Sequence, residues 1–179
     1  MPLQTQPRCQ TRTLPCPTLV LGVGNILLRD EGVGVRVVEA MGQLELPPGV
    51  ELVDGATAGL DLLDLLADRG KVIVIDAIEG DSEPGTVLRL RLEDLVPRDG
   101  QSISLHEIGV LETLAVAGQL GIAPRDVIVF GVKPHNVGCG LDLTPEIAGR
   151  VPEIVELVLA ELGNNTRVEP SRHAQERGR

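Results

Sequence analysis

Apolar residues follow two alternating rhythms along this chain. TLVLGVG from Thr18, VELVD from Val50, KVIVIDA from Lys71 and DVIVFGV from Asp126 are short β-branched runs, as expected of strands in a largely parallel sheet. Between them apolar residues recur at helical spacing, which predicts helices near 32 to 44, 58 to 68, 106 to 119 and 145 to 162. Val33, Val37, Ala40, Met41 and Leu44 mark the first. In the last, Ile147, Val151, Ile154, Val155, Val158 and Leu162 share one face, and Thr144-Pro145 supplies an N-cap followed by Pro at the first helical position. Gly70 and Gly121 are placed to close the helices that precede them. GTVLRLRL from Gly85 alternates apolar residues with Arg, the signature of a half-exposed edge strand that can run antiparallel. The expected fold is a single α/β domain: a twisted, mainly parallel five-stranded sheet with one antiparallel edge strand and helices on both faces.

Composition sharpens this picture. In 179 residues there is one Phe and no Trp or Tyr, so the core must be built from Val, Leu, Ile and Ala. The polar, Pro-rich residues 1 to 17 and the stretch 163 to 179 hold too little apolar surface to offset the entropy of ordering, and both are expected to be disordered tails around a folded part at 18 to 162. A formal charge of -10 would repel phosphate backbones and anionic lipid, which argues against nucleic acid or membrane partners. Cys9, Cys16 and Cys139 form no close pair. A reduced, cytoplasmic setting is therefore expected, without a structural zinc site or thioredoxin-type centre. The apolar run from Thr18 to Val23 is too short for a signal h-region or a membrane span.

The first strand ends in Leu21-Gly22-Val23-Gly24-Asn25, which invites a dinucleotide-binding reading. The third glycine of that pattern should stand at position 27, which is Leu, and Asp30-Glu31 would meet the pyrophosphate with negative charge. The glycines are better explained by a tight exit from the strand and close approach of backbone.

Asp30 and Glu31 precede a helix, where acids are common for electrostatic reasons alone. Asp76 directly follows the apolar run Val72 to Ile75, at the C-terminal end of a buried strand, where α/β sheets bind their ligands. His106 opens a helix. His135, in a Gly-rich loop, is a second candidate, and His173 lies in the tail. Glu31, Asp76 and His106 together would offer two carboxylates and an imidazole with positions left open, a set that suits zinc or nickel. Spacing alone does not establish that they converge.

Five segments resemble the hydrogenase maturation endopeptidases: LGVGNILLRDEGVGVRVVEAM (Leu21 to Met41), VDGATAG (Val53 to Gly59), VIDAIEGDSEPGTV (Val74 to Val87), SLHEIGVLETLAVAG (Ser104 to Gly118) and FGVKPHNVGCGLDLTPEI (Phe130 to Ile147). The resemblance implies an enzyme that removes a short C-terminal extension from the nickel-loaded precursor of a nickel-iron hydrogenase large subunit, its single partner. It assigns metal contact and catalysis to Glu31, Asp76 and His106, and Asp30 would orient a ligand or water from behind them. Nickel would arrive with the substrate, while zinc or cadmium can occupy the site of the isolated protein, expected to be a monomer. Gly55, Thr57 and Gly59 match a loop that shapes the cleft, and Lys133 departs from the Gln or Glu expected there. Three other readings stay open: a nickel-binding chaperone with the same trio, a general zinc metallopeptidase, disfavoured by the absence of HExxH, and a dinucleotide-binding protein, disfavoured by Leu27. No serine or cysteine nucleophile is supported.

Overall fold

The structure, a computed structural model, describes residues 18–56, 60–94 and 108–163. Five strands, β1 (Thr18–Val23), β2 (Val50–Ala56), β3 (Lys71–Ala77), β4 (Val87–Arg91) and β5 (Asp126–Val132), form one sheet in the order β2-β1-β3-β5-β4. β1 pairs in parallel with β2 and β3, β3 pairs in parallel with β5, and β4 runs antiparallel to β5 at the edge. The alternating apolar and Arg pattern of β4 thus meant what it predicted: Arg89 and Arg91 stay exposed while Leu88 and Leu90 pack inward.

Helices cover both faces. α1 (Val33–Met41) and α5 (Val151–Gly163) pack with Val20, Ile73, Ile75, Phe130 and Val132. α2 (Leu63–Leu66) and α3 (Ile108–Gln119) cover the other face, against Leu19, Leu21, Val72, Val74 and Val129. Odd and even positions of β3 divide cleanly between the two cores, as the period of two requires. The one aromatic residue, Phe130, is fully buried, and burial of such a side chain contributes about 1.5–3 kcal/mol.

Several boundaries differ from expectation for local reasons. The helix expected over 145 to 162 is broken into α4 (Pro145–Ala148) and α5. Pro152 has no N–H to give to the preceding turn, so the chain restarts its helix around it. Thr144 does occupy the N-cap of α4, but its hydroxyl makes no cap hydrogen bond. The helix expected near 58 to 68 is confined, in its described part, to a 3-10 turn at Leu60–Leu62 and α2. The residue that turns left-handed after it is Asp68 (φ 57°), two positions before Gly70, and its N–H donates to Ile122 O at 2.8 Å. Gly121 closes α3 as expected, with φ 70° and with Ile122 N–H reaching back to Ala117 O. Leu44 lies beyond α1 and is exposed, off the buried face assigned to it.

At the N-terminal end of β3, Lys71 is buried and paired with Glu161 of α5, whose second oxygen accepts Arg89 Nε at 2.9 Å; Asp126 lies 3.3 Å from the ammonium. Burial opposes ionisation of Glu161, but the hydrogen bonds and charges of Arg89 and Lys71 outweigh it and hold the carboxyl below its ordinary value. This cluster ties the edge strand, a central strand and the last helix together at the end of the sheet opposite Asp76. A cavity of about 280 Å³ beside it is lined by Val87, Arg89, Phe130 and Leu157, and by none of the acids singled out in the sequence.

Candidate functional site

The strand order reverses its direction of growth at β1, which has β2 on one side and β3 on the other. The crevice beside the C-terminal ends of β1 and β3 is where open α/β sheets bind ligands. Asp76 stands next to the last residue of β3 there, in register with Gly131 of β5 and 2% exposed. Its position in the strand alternation places it on the α2 and α3 face. Glu31 lies in a 3-10 turn, Arg29–Gly32, that leads from β1 into α1 and packs against β3; its side chain is half-buried.

Glycines make this turn possible. Gly24 has φ 131°, and a Cβ there would collide with the Glu31 carbonyl. A Cβ on Gly34 would strike the carbonyl oxygens of Ile75 and Val23, so helix α1 rests backbone on backbone over the ends of β1 and β3. The glycine-rich segment thus seats the turn that carries Glu31 against β3, the strand that carries Asp76.

Asp30 behaves differently from its neighbour. Its carboxylate is completely buried. Oδ2 accepts the backbone N–H of His135 at 3.1 Å and of Asn136 at 2.8 Å and the hydroxyl of Thr144 at 2.9 Å, while Oδ1 accepts Thr144 N–H at 2.7 Å. Backbone bonds reinforce the join: Asp30 N–H to Asn136 O, Arg29 N–H to Gly140 O and Gly140 N–H to Leu27 O. Arg29 is held at φ 51°, a left-handed conformation that a non-glycine residue adopts only under such constraint. The loop from Lys133 to Leu143 is therefore fastened to the loop that carries Glu31. No signal in the sequence announced these partners, because they lie 105 to 114 positions away.

His106, Thr57, Gly59 and His173 lie outside the described residues. α3 leads into β5 and its C-terminal turn lies at the strand starts, where Asp68 N–H bonds Ile122 O and Arg125 N–H bonds Arg69 O. Its N-terminal end accordingly lies toward the edge of the sheet where Asp76 stands. Among the described residues no three His, Cys, Asp or Glu side chains form a metal-holding group. Glu31 and Asp76 each carry carboxylate oxygens, a donor type suited to a divalent ion. His135 is exposed, with Nδ1 3.2 Å from Glu146 Oε2. It also borders a shallow cleft of about 170 Å³ with Glu79, Lys133 and Asn136. Gly55 packs its backbone on Leu21 and Gly22 at the end of β2. No helix among the described residues is long and apolar enough to cross a membrane.

The chain is similar in sequence and fold to known proteins. The family model described as hydrogenase maturation protease matches residues 35–161. The chain is 41% identical over 146 residues to the hydrogenase 2 maturation protease of Escherichia coli strain K12, covering 80% of this chain and 89% of that protein. It is 36% identical over 182 residues to the hydrogenase expression/formation protein HupD of Rhodobacter capsulatus, covering 92% and 87%. Among solved structures, the hydrogenase maturating endopeptidase HybD from E. coli superposes with a TM-score of 0.76 at 37% identity, over 84% of this chain and 94% of that one.

Proposed function

This chain belongs to the hydrogenase maturation protease family, and from that premise we propose that it cuts a short C-terminal extension from the nickel-loaded precursor of a nickel-iron hydrogenase large subunit. The observation that carries the reading is the packing of the turn that holds Glu31 against β3, the strand that holds Asp76, with glycine backbone seated over the ends of β1 and β3. Glu31, Asp76 and His106 contact the nickel that the substrate carries, and this sets the scissile carbonyl at the crevice. Nickel, as part of the substrate, supplies Lewis-acid polarisation. A water adds to the carbonyl carbon, one of the two carboxylates takes its proton, and the proton passes to the leaving amine as the C–N bond breaks. Every hydrogen bond described for the Asp30 carboxylate goes to the 133–144 loop. Its part is to fix that loop and the adjoining Glu31, not to touch the metal.

The exposed, unpaired Cys139 fits a reducing cytoplasm. We place the protein there as a monomer, with any zinc or cadmium found in the isolated protein a substitute for the substrate's nickel. The test is to mix the protein with a nickel-loaded precursor and with its nickel-free form and read both by intact mass. Loss of one C-terminal peptide from the loaded form alone, abolished by Glu31→Ala, is the expected result. Complex formation with a verified cognate precursor whose mass never changes would overturn the protease mechanism in favour of a nickel-inspecting chaperone.

A further inference from the structure

Eight large apolar side chains are exposed among the described residues, and four of them, Ile26 (38%), Leu27 (58%), Val137 (43%) and Leu141 (62%), stand on the two loops that Asp30 joins. They are close in space as well as in kind. Gly140 N–H donates to Leu27 O at 2.9 Å, and Leu28 and Gly140 form a parallel bridge, so Leu27 and Leu141 flank one seam. Val137 follows Asn136, whose carbonyl accepts the Asp30 N–H.

Exposed apolar residues scattered singly need no explanation, but a group on one rim does. This rim is also rigid. The Arg36 guanidinium donates to Leu141 O at 2.9 Å, and the buried Asp30 carboxylate holds both ends of the 135–144 segment. Ordering costs that a mobile loop would incur on binding are already met in the folded protein.

We propose that this rim is the surface on which the body of the large-subunit precursor docks, beyond the few residues around the scissile bond. The proposal rests on the functional reading above and goes further by naming where the partner is held. Its occupant follows from continuity: Leu27 and Glu31 share one short loop, so a folded protein that presents a peptide bond to Glu31 must lie over Leu27 and its neighbours across the seam. The rim gives the protease affinity for a whole protein without contact to the reacting atoms. Such binding energy, equal in ground and transition states, lowers KM and leaves kcat unchanged.

The test compares the full-length wild type, a Leu27→Ser/Leu141→Ser double variant and a Leu120→Ser/Leu157→Ser control, whose side chains are exposed elsewhere. Each is assayed on nickel-loaded cognate precursor. The double variant should raise KM roughly 10- to 50-fold with kcat at saturation unchanged, the control should leave both unchanged, and thermal midpoints should coincide. A second probe uses Cys139, exposed between Val137 and Leu141. In a Cys9→Ser/Cys16→Ser background, a bulky maleimide attached there beforehand should raise KM in the same way. A wild type that leaves the precursor uncut overturns the functional reading itself. Cleavage by wild type, with KM unchanged in the double variant, overturns only the docking surface. The same holds if wild type dimerises, the double variant does not, and their KM values agree, because the rim would then be a contact between copies.

Discussion

Asp30 and Thr144 are 114 positions apart in the chain, yet the carboxylate of one accepts both the backbone N–H (2.7 Å) and the hydroxyl (2.9 Å) of the other. The helix that Thr144 begins is capped by no hydroxyl bond of its own, because that hydroxyl is turned to Asp30. Two loops from opposite ends of the sequence are thereby closed over one end of the sheet.

Replacing Asp30 separates this fastening from chemistry. Asp30→Ala strips acceptors from three backbone N–H groups and a hydroxyl, and leaving such buried donors unsatisfied costs about 1–3 kcal/mol each where water does not enter. Urea unfolding should show a loss of about 3 kcal/mol or more. Thr144→Val removes only the hydroxyl bond and should cost about 1 kcal/mol. Equal and small losses for both variants would mean that the carboxylate is not the fastening it appears in the geometry.

Gly34→Ala should act on activity through packing. The added methyl would meet the carbonyl oxygens of Ile75 and Val23, and neither backbone can yield without moving a central strand. We expect a stability loss of about 2 kcal/mol or more. A fall in kcat should accompany it, since lifting α1 moves the turn that carries Glu31 away from β3. Full activity in a destabilised Gly34→Ala protein, measured well below its melting temperature, would show that the crevice tolerates such a shift.

How far the sequence carries differs between fold and site. Continuous apolar runs identified β1, β3 and β5 because a strand buried on both faces leaves no choice of residue type, and the Arg alternation of β4 identified an edge. Asp76 was legible for the same reason, as the acid that ends such a run. The break between α4 and α5 at Pro152 was obscured by an apolar periodicity that continues through it. The roles of Asp30 and Glu31 were not separable, since adjacent acids ahead of a helix look alike until one is seen to be spent on distant N–H groups. Nor could spacing alone reveal Lys71, Arg89 and Glu161 as one cluster, because they meet only through sheet register.

That cluster predicts a pH dependence. The Glu161 carboxyl is held below its ordinary value of 4.5 by Arg89 and Lys71 despite burial. A depressed native pKa means that its stabilisation is complete above the unfolded value and is lost as pH falls from about 4.5 through the lower native value. Stability measured by urea midpoint should decline over that window. Glu161→Gln should flatten the decline and, by leaving Lys71 buried with only Asp126 nearby, cost about 3 kcal/mol at neutral pH. An unchanged acid limb in Glu161→Gln would assign the decline to other carboxylates.

Chelation distinguishes a metal carried by the substrate from one resident in the protease. Glu31 and Asp76 are two carboxylates, and no third ligand completes a metal-holding group among the described residues. If the nickel in the precursor completes the arrangement, protease treated with EDTA and desalted should cut nickel-loaded precursor at the untreated rate. Zinc added back should not accelerate it, and adding excess zinc should slow it by filling the crevice beforehand. A resident catalytic zinc makes the opposite demand: treated enzyme would be inactive and stoichiometric zinc would restore it. Rates from intact mass, with metal content of both proteins measured before mixing, decide between the two.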